Sequence, residues 1–121
     1  MTTPNNYPPV IVDTLSVTIP NGASLSNAVD LKGTTLVGVL IPSTWTSAAL
    51  TLAPSLDNAT FWPIYDTDGS EIKYTVNAGG WLILTALQTA SMRFLKLRSG
   101  TFVAPVNQSG NQFIQLATRP V

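Results

Sequence analysis

Read for hydrophobic and polar positions alone, the chain alternates with period two over most of its length. Val10–Ile19 opens the pattern: Leu15, Val17 and Ile19 point one way, Ser16 and Thr18 the other. That is the mark of a strand with one covered face. Pro20-Asn21-Gly22 stops the run with strong turn chemistry. Leu25, Val29 and Leu31 mark a short strand or wide loop, closed by Lys32-Gly33. Thr34–Ile41 differs in kind. It is nearly all apolar and β-branched, which predicts a central strand covered on both faces. Ala49–Ala53 follows, with Leu50 and Leu52 on one face, and Ser55–Thr60 predicts a hairpin connection around Asp57-Asn58. Phe61–Tyr65 contains Pro63 and so predicts an edge or bulged strand. After a turn at Asp66–Ser70, Glu71–Val76 sets Ile72, Tyr74 and Val76 against Glu71, Lys73 and Thr75. Asn77-Ala78-Gly79-Gly80 turns the chain into the apolar run Trp81–Leu84. Thr85–Ser91 is the one stretch that fits a helical turn. Met92–Arg98 alternates again, Ser99–Gly110 reads as a long polar loop with Pro105, and Gln112–Thr118 closes the pattern with Phe113 or Ile114 and Leu116 inward.

Turn signals at intervals of about 8–12 residues predict a sandwich or barrel. The expected fold is all-β: a single antiparallel β-sandwich, jelly-roll-like, of about 8–9 strands over residues 10–121. A chain of 121 residues fits one such domain. Residues 1–9 hold three prolines and two asparagines, which predicts an extended N-terminal arm. Such arms order against a neighbour, so Tyr7, Pro8 and Pro9 are candidates for partner binding.

Composition narrows the chemistry. The chain has no His and no Cys. That removes the usual base of hydrolytic triads, thiol catalysis, thiolate metal sites and disulfides together. Asp66, Asp68 and Glu71 sit in one turn, whereas a glycosidase needs two carboxylates flanking a cleft. The expectation is a protein that is not an enzyme and uses no cofactor. The same three carboxylates could wrap a cation, but an Asp-Gly turn between strands accounts for them more simply, so no metal site is assigned.

Only 10% of residues are charged, against about 25% in a typical soluble domain. Thr, Ser, Asn and Gln must therefore coat the surface, as expected either where partner chains cover much of it or in a neutral, Thr/Ser-rich β-sandwich exposed to solvent. Net charge is zero, so no nucleic-acid footprint is expected. No apolar run reaches a membrane span and the N-terminus lacks a basic, apolar leader pattern, so no membrane or secretory role is expected. The charges are nevertheless segregated. All six acids precede residue 72 with only Lys32 among them, a balance of −5, and the remainder carries +5. Either two charged faces serve head-to-tail packing or the fold neutralises them internally. Arg93, Lys96 and Arg98 are expected to meet acids on neighbouring strands or chains. Among the aromatics, Trp45 and Trp62 are candidate partner-binding residues. Trp45 lies in the loop Pro42–Ser47, where it would serve as a core or interface anchor, or stack on a sugar ring.

The stretch Val37-Gly-Val-Leu-Ile-Pro42, Trp45-Thr46, then Asp57-Asn58 and Phe61–Tyr65, followed by Phe94–Thr101 and Ala104–Gln108, resembles a family of small β proteins encoded by tailed bacteriophages and prophages. The likeness covers most of the chain from about residue 13. It implies a structural virion protein. The first form is a capsid decoration or cement protein that is made in the host cytoplasm and binds the major capsid protein lattice at the capsid surface. It would also bind copies of itself, with a trimer favoured by lattice symmetry. The alternative is a tail- or fibre-associated carbohydrate-binding module with a host glycan as ligand.

Overall fold

A period-two segment becomes a strand only where its backbone edges find partners. In the computed structural model, which describes residues 12–120, seven segments do so. They are β1 (Asp13–Ile19), β2 (Val29–Asp30), β3 (Thr34–Leu40), β4 (Leu50–Ser55), β5 (Trp81–Ile83), β6 (Phe94–Ser99) and β7 (Gln112–Pro120). One helical turn, α1 (Ala86–Thr89), lies between β5 and β6. The strands form two antiparallel sheets, ordered β1-β7-β3-β5 and β2-β6-β4. Successive strands thus pass from one sheet to the other at every connection, the longest being that between β4 and β5. There the chain first runs beside β4, where Leu50 and Tyr74 exchange two backbone hydrogen bonds of 2.9 Å. With that segment in the eighth place, the winding is that of a small jelly roll.

The count is one to two below the eight to nine strands expected, because Phe61–Tyr65 and Glu71–Val76 are reduced to isolated bridges. Pro54 and Pro63 each lack an N–H, so this side of β4 cannot carry a full ladder. What remains is Trp62 N–H donating to Pro54 O at 3.0 Å, Ile72 N–H to Ile64 O at 2.9 Å, and the Tyr65–Glu71 bridge. The connection after β4 is a self-capped turn. Ser55 Oγ accepts from Asn58 N–H, and Asp57 Oδ1 accepts from Ala59 and Thr60 N–H. Asn58 takes the left-handed conformation there, which Asn tolerates.

Inward faces follow the predicted parity on β1 and β4, and the fold decides it on β6 and β7. Val17 and Ile19 of β1, Leu50 and Leu52 of β4, Leu95 and Leu97 of β6, and Ile114 and Leu116 of β7 are buried together between the sheets. β3 is covered on both faces as expected. Leu36 and Val39 face the core. On the outer side Thr35 Oγ1 donates to Ala86 O at 2.8 Å, and Thr89 Oγ1 donates to Leu36 O at 2.8 Å, so α1 is fastened across the strand. Further along, the Trp81 indole lies over Gly38, where a Cβ would come within 2.7 Å of the ring. The expected N-terminal arm, residues 1–9, lies outside the described residues.

Candidate interaction surfaces

The loop that carries Trp45 is held from below by two glutamines distant in sequence. Thr46 N–H donates to Gln108 Oε1 at 2.7 Å, and Gln108 Nε2 donates to Thr46 O at 3.0 Å and Ser99 Oγ at 2.6 Å. Gln112 Nε2 donates to Thr44 O at 2.8 Å, and Gln112 Oε1 accepts from the Thr44 hydroxyl at 2.9 Å. Both glutamine side chains are fully buried. Pinned this way, the loop turns Trp45 inward to 7% exposure, with its indole N–H donating to Ala48 O. Trp45 is therefore a core residue and not a surface on which a sugar or partner can stack, which corrects its place among the candidates. Neither glutamine was legible as a structural clamp, because both read as ordinary polar positions. The one available signal was parity, which places Gln112 on the face of Ile114 and Leu116.

Trp62 stands elsewhere. It is 61% exposed and forms one wall of a groove of about 470 Å³ beside the end of β4. Leu56, Pro54 and Met92 supply apolar lining, and Asp57, Thr60, Ser55 and Ser91 supply polar groups. The Asp57 carboxyl is drawn down to about 2 by the amides of Thr60 and Ala59 and by the Ser55 hydroxyl, so it is ionised throughout the neutral range. This gives an open groove with an aromatic wall and a fixed anion at its rim.

Two other surfaces are apolar. Trp81 and Ile83 on β5 and Leu87 on α1 project from the outer side of the four-stranded sheet. Phe102 and Val103 project from the loop after β6. Beneath Phe102 lies Arg98, whose guanidinium is 5.3 Å from the ring centre and 3.8 Å from the Glu71 carboxylate. Burial pushes the Arg98 pKa down and Glu71 opposes that shift. The Glu71 carboxylate also accepts from Phe102 N–H at 3.1 and 3.2 Å, which ties the loop to the sheet.

Two of the segregated pairs meet within the molecule, Arg93 with Asp30 and Arg98 with Glu71. Arg93 donates to both Asp30 carboxylate oxygens, at 2.9 and 3.3 Å, and this pairing together with the Lys32 amide lowers the Asp30 pKa. Lys96 sits 4.5 Å over the Phe61 ring. Arg93 and Arg98 thus find acids on neighbouring segments, as expected. The acidic turn does not converge. Asp66 accepts from Thr67 N–H, Asp68 accepts from the Ser70 amide and hydroxyl, and Glu71 is engaged with Arg98 and Phe102. Among the described residues no group of three or more His, Cys, Asp or Glu is arranged to hold a metal ion.

Tyr7, Pro8 and Pro9 lie outside the described residues. Among the described residues no helix is long and apolar enough to cross a membrane. No family model, curated protein or solved structure matches the chain.

Proposed function

We propose that this jelly-roll domain is a structural virion protein of a tailed bacteriophage, a decoration protein that binds and stabilises the major capsid protein lattice at the capsid surface. The observation that supports the reading best is the placing of exposed apolar side chains. Leu56 with Trp62, Trp81 with Ile83 and Leu87, and Phe102 with Val103 occupy separate parts of a surface with very few charges. A protein free in solution is poorly served by several such patches, whereas one that touches several neighbours in an assembly buries them. Phage origin and the capsid partner rest on the sequence resemblance. The test is the copy number in purified virions, measured by quantitative mass spectrometry against the major capsid protein. A ratio near a simple fraction of the lattice is expected. A handful of copies per virion would refute a decoration role and move the protein to the tail.

The Trp62 groove favours a second reading, a glycan-binding module on a tail or fibre. An exposed indole stacks on the apolar face of a sugar ring, and Asp57 and Thr60 supply polar partners at the rim. This reading expects the tryptophan fluorescence to change when host polysaccharide is added, and the change to vanish in Trp62→Ala. An unchanged response in that variant removes the groove from the reading.

A further inference from the structure

We propose that β5 pairs with β5 of a second copy of this chain across a two-fold axis at Leu82, joining two four-stranded sheets into one. This goes beyond the virion reading and holds whatever larger assembly the protein enters.

The backbone register carries the argument. In an antiparallel ladder, alternate residues face the partner strand. Ile41 N–H donates to Gly80 O at 2.8 Å and Leu84 N–H donates to Val37 O at 3.0 Å, with Leu82 opposite Val39. Gly80, Leu82 and Leu84 therefore face β3. Trp81 and Ile83 turn both their N–H and C=O groups to the other side. β5 is the last strand of its sheet, and among the described residues nothing bonds these four groups. α1 packs on β3 and not beside β5.

These groups are complementary to themselves. An antiparallel copy centred on Leu82 sets Trp81 opposite Ile83 of the second copy, and Ile83 opposite its Trp81. Each pair exchanges two hydrogen bonds, so all four outward groups on each strand are satisfied. The side chains of the two residues lie on the same outer face; the Trp81 ring leans back over Gly38 of its own sheet, so Ile83 and the Trp81 stem make the cross-strand contact. A single strand pairing with its own copy in this way gives an isologous contact, hence a dimer and not the trimer expected from lattice symmetry.

Charge and area agree. Tyr74–Met92 contains no Asp, Glu, Lys or Arg, so the two-fold contact brings no like charges together. Proteins ordinarily guard an edge with charge, proline or a covering segment. The other edges here show such guards. β1 carries Asp13 with Thr14, Ser16 and Thr18 outward, β2 is two residues long and carries Asp30, and β4 has Pro54 and the covering Tyr74 segment. β5 shares only the shortness of β2, being three residues long, and carries neither charge, proline nor a covering segment. Trp81 and Ile83 are 57% and 78% exposed, whereas Leu87, on α1 over β3, lies away from the axis. The two together offer roughly 270 Å² per copy, taking about 200 Å² for a large side chain. Doubled, and with the backbone edge added, this stays below about 1,000 Å², the size of weak, reversible contacts. A reversible dimer is expected, with a Kd on the order of 100 μM.

The test is sedimentation equilibrium on the full chain from about 1 μM to about 1 mM, a range that brackets this Kd. The wild type is expected to pass from monomer to dimer. Ile83→Pro removes one outward N–H that the fold itself does not use, and should weaken the dimer about tenfold or more with an unchanged circular dichroism spectrum. A monomer throughout, a trimer, or a dimer indifferent to Ile83→Pro overturns the proposal. Should that variant lose its fold, cross-linking decides. The chain has no cysteine, so Leu82→Cys supplies its sole thiol. Across the axis the two Cα atoms would lie about 4.5 Å apart, within disulfide range. Mild oxidation should couple this variant much faster than Ser16→Cys on β1. Equal rates overturn the two-fold pairing.

Discussion

Gln108 is the buried junction of two loops that are otherwise joined by the exposed hydrogen bonds of Thr46 with Ser109, and replacing it should show how much of the domain depends on that junction. Its side chain makes three hydrogen bonds, two with the backbone of Thr46 and one with Ser99 Oγ. Thr46 is half-buried, so water can partly replace its lost partners in Gln108→Ala, at about 1 kcal/mol for the two bonds together. Ser99 is fully buried and its hydroxyl has this one side-chain partner, so stranding it costs about 1–2 kcal/mol more. The emptied space adds a little, and the sum is about 3 kcal/mol. At about 4 °C per kcal/mol for a domain of this size, the melting temperature should fall by about 12 °C. Urea unfolding and thermal melts followed by circular dichroism both read this. Gln108→Glu sharpens the test. The carboxylate keeps an acceptor for Thr46 N–H but sets a second oxygen against Thr46 O. Buried and facing a carbonyl, the acid has a folded-state pKa above its unfolded value near 4.3. The native state then binds more protons, so the variant loses stability as pH rises from about 4.3 through the folded value. It should approach the wild type near pH 4 and fall to or below Gln108→Ala at pH 7. A loss under about 1 kcal/mol in Gln108→Ala, or a pH-independent gap between Gln108→Glu and the wild type, refutes the clamp.

The remaining predictions separate core from surface and strain from space. Trp45→Ala should cost about 3–5 kcal/mol in urea unfolding, whereas Trp62→Ala should stay within about 0.5–1 kcal/mol of the wild type, since one indole is in the core and the other in solvent. Gly100 has φ +87°, and a Cβ there would lie 2.6 Å from both Ala104 O and Val106 N. Gly100→Ala should therefore cost about 3 kcal/mol or more, or abolish soluble expression. Gly38→Ala meets a side chain and not backbone, so the Trp81 ring can swing aside. The expected cost is about 1–2 kcal/mol, with a red shift in tryptophan emission. Asp57 should titrate near 2 by carboxyl-resolved NMR, because its bonds to Thr60 and Ala59 hold it below the ordinary value. Its stabilising effect is then present above the unfolded value near 3.9 and lost as pH falls from about 4 to about 2. Asp57→Ala should abolish that part of the acid transition in thermal melts.

Which of these features the sequence discloses depends on how far apart the deciding residues lie. The inward faces of β1 and β4 were legible because parity is a property of one strand, and Leu15 and Leu50 each declare it locally. At β7 parity was ambiguous, since Phe113 and Ile114 are adjacent and both apolar. The fold resolves it through the pairing of Thr18 with Phe113 on the outer side, leaving Phe113 68% exposed and Ile114 buried. The clean alternation of Glu71–Val76 promised a strand that does not form, because alternation says nothing of what lies alongside. Proline at 54 and 63 removes donors from the neighbouring edge. Trp45 was rightly read as a loop residue, but its burial is decided by glutamines that bond its neighbours Thr46 and Thr44 across 62 and 68 positions. The β5 edge is the extreme case. Trp81-Leu82-Ile83 reads locally as core. Only the sheet order, set by β1 pairing with β7 across most of the chain, leaves this short strand last in its row with two residues turned outward. An interaction surface of this kind is made by the absence of a neighbour, and a neighbour's absence is fixed by every other pairing in the sheet.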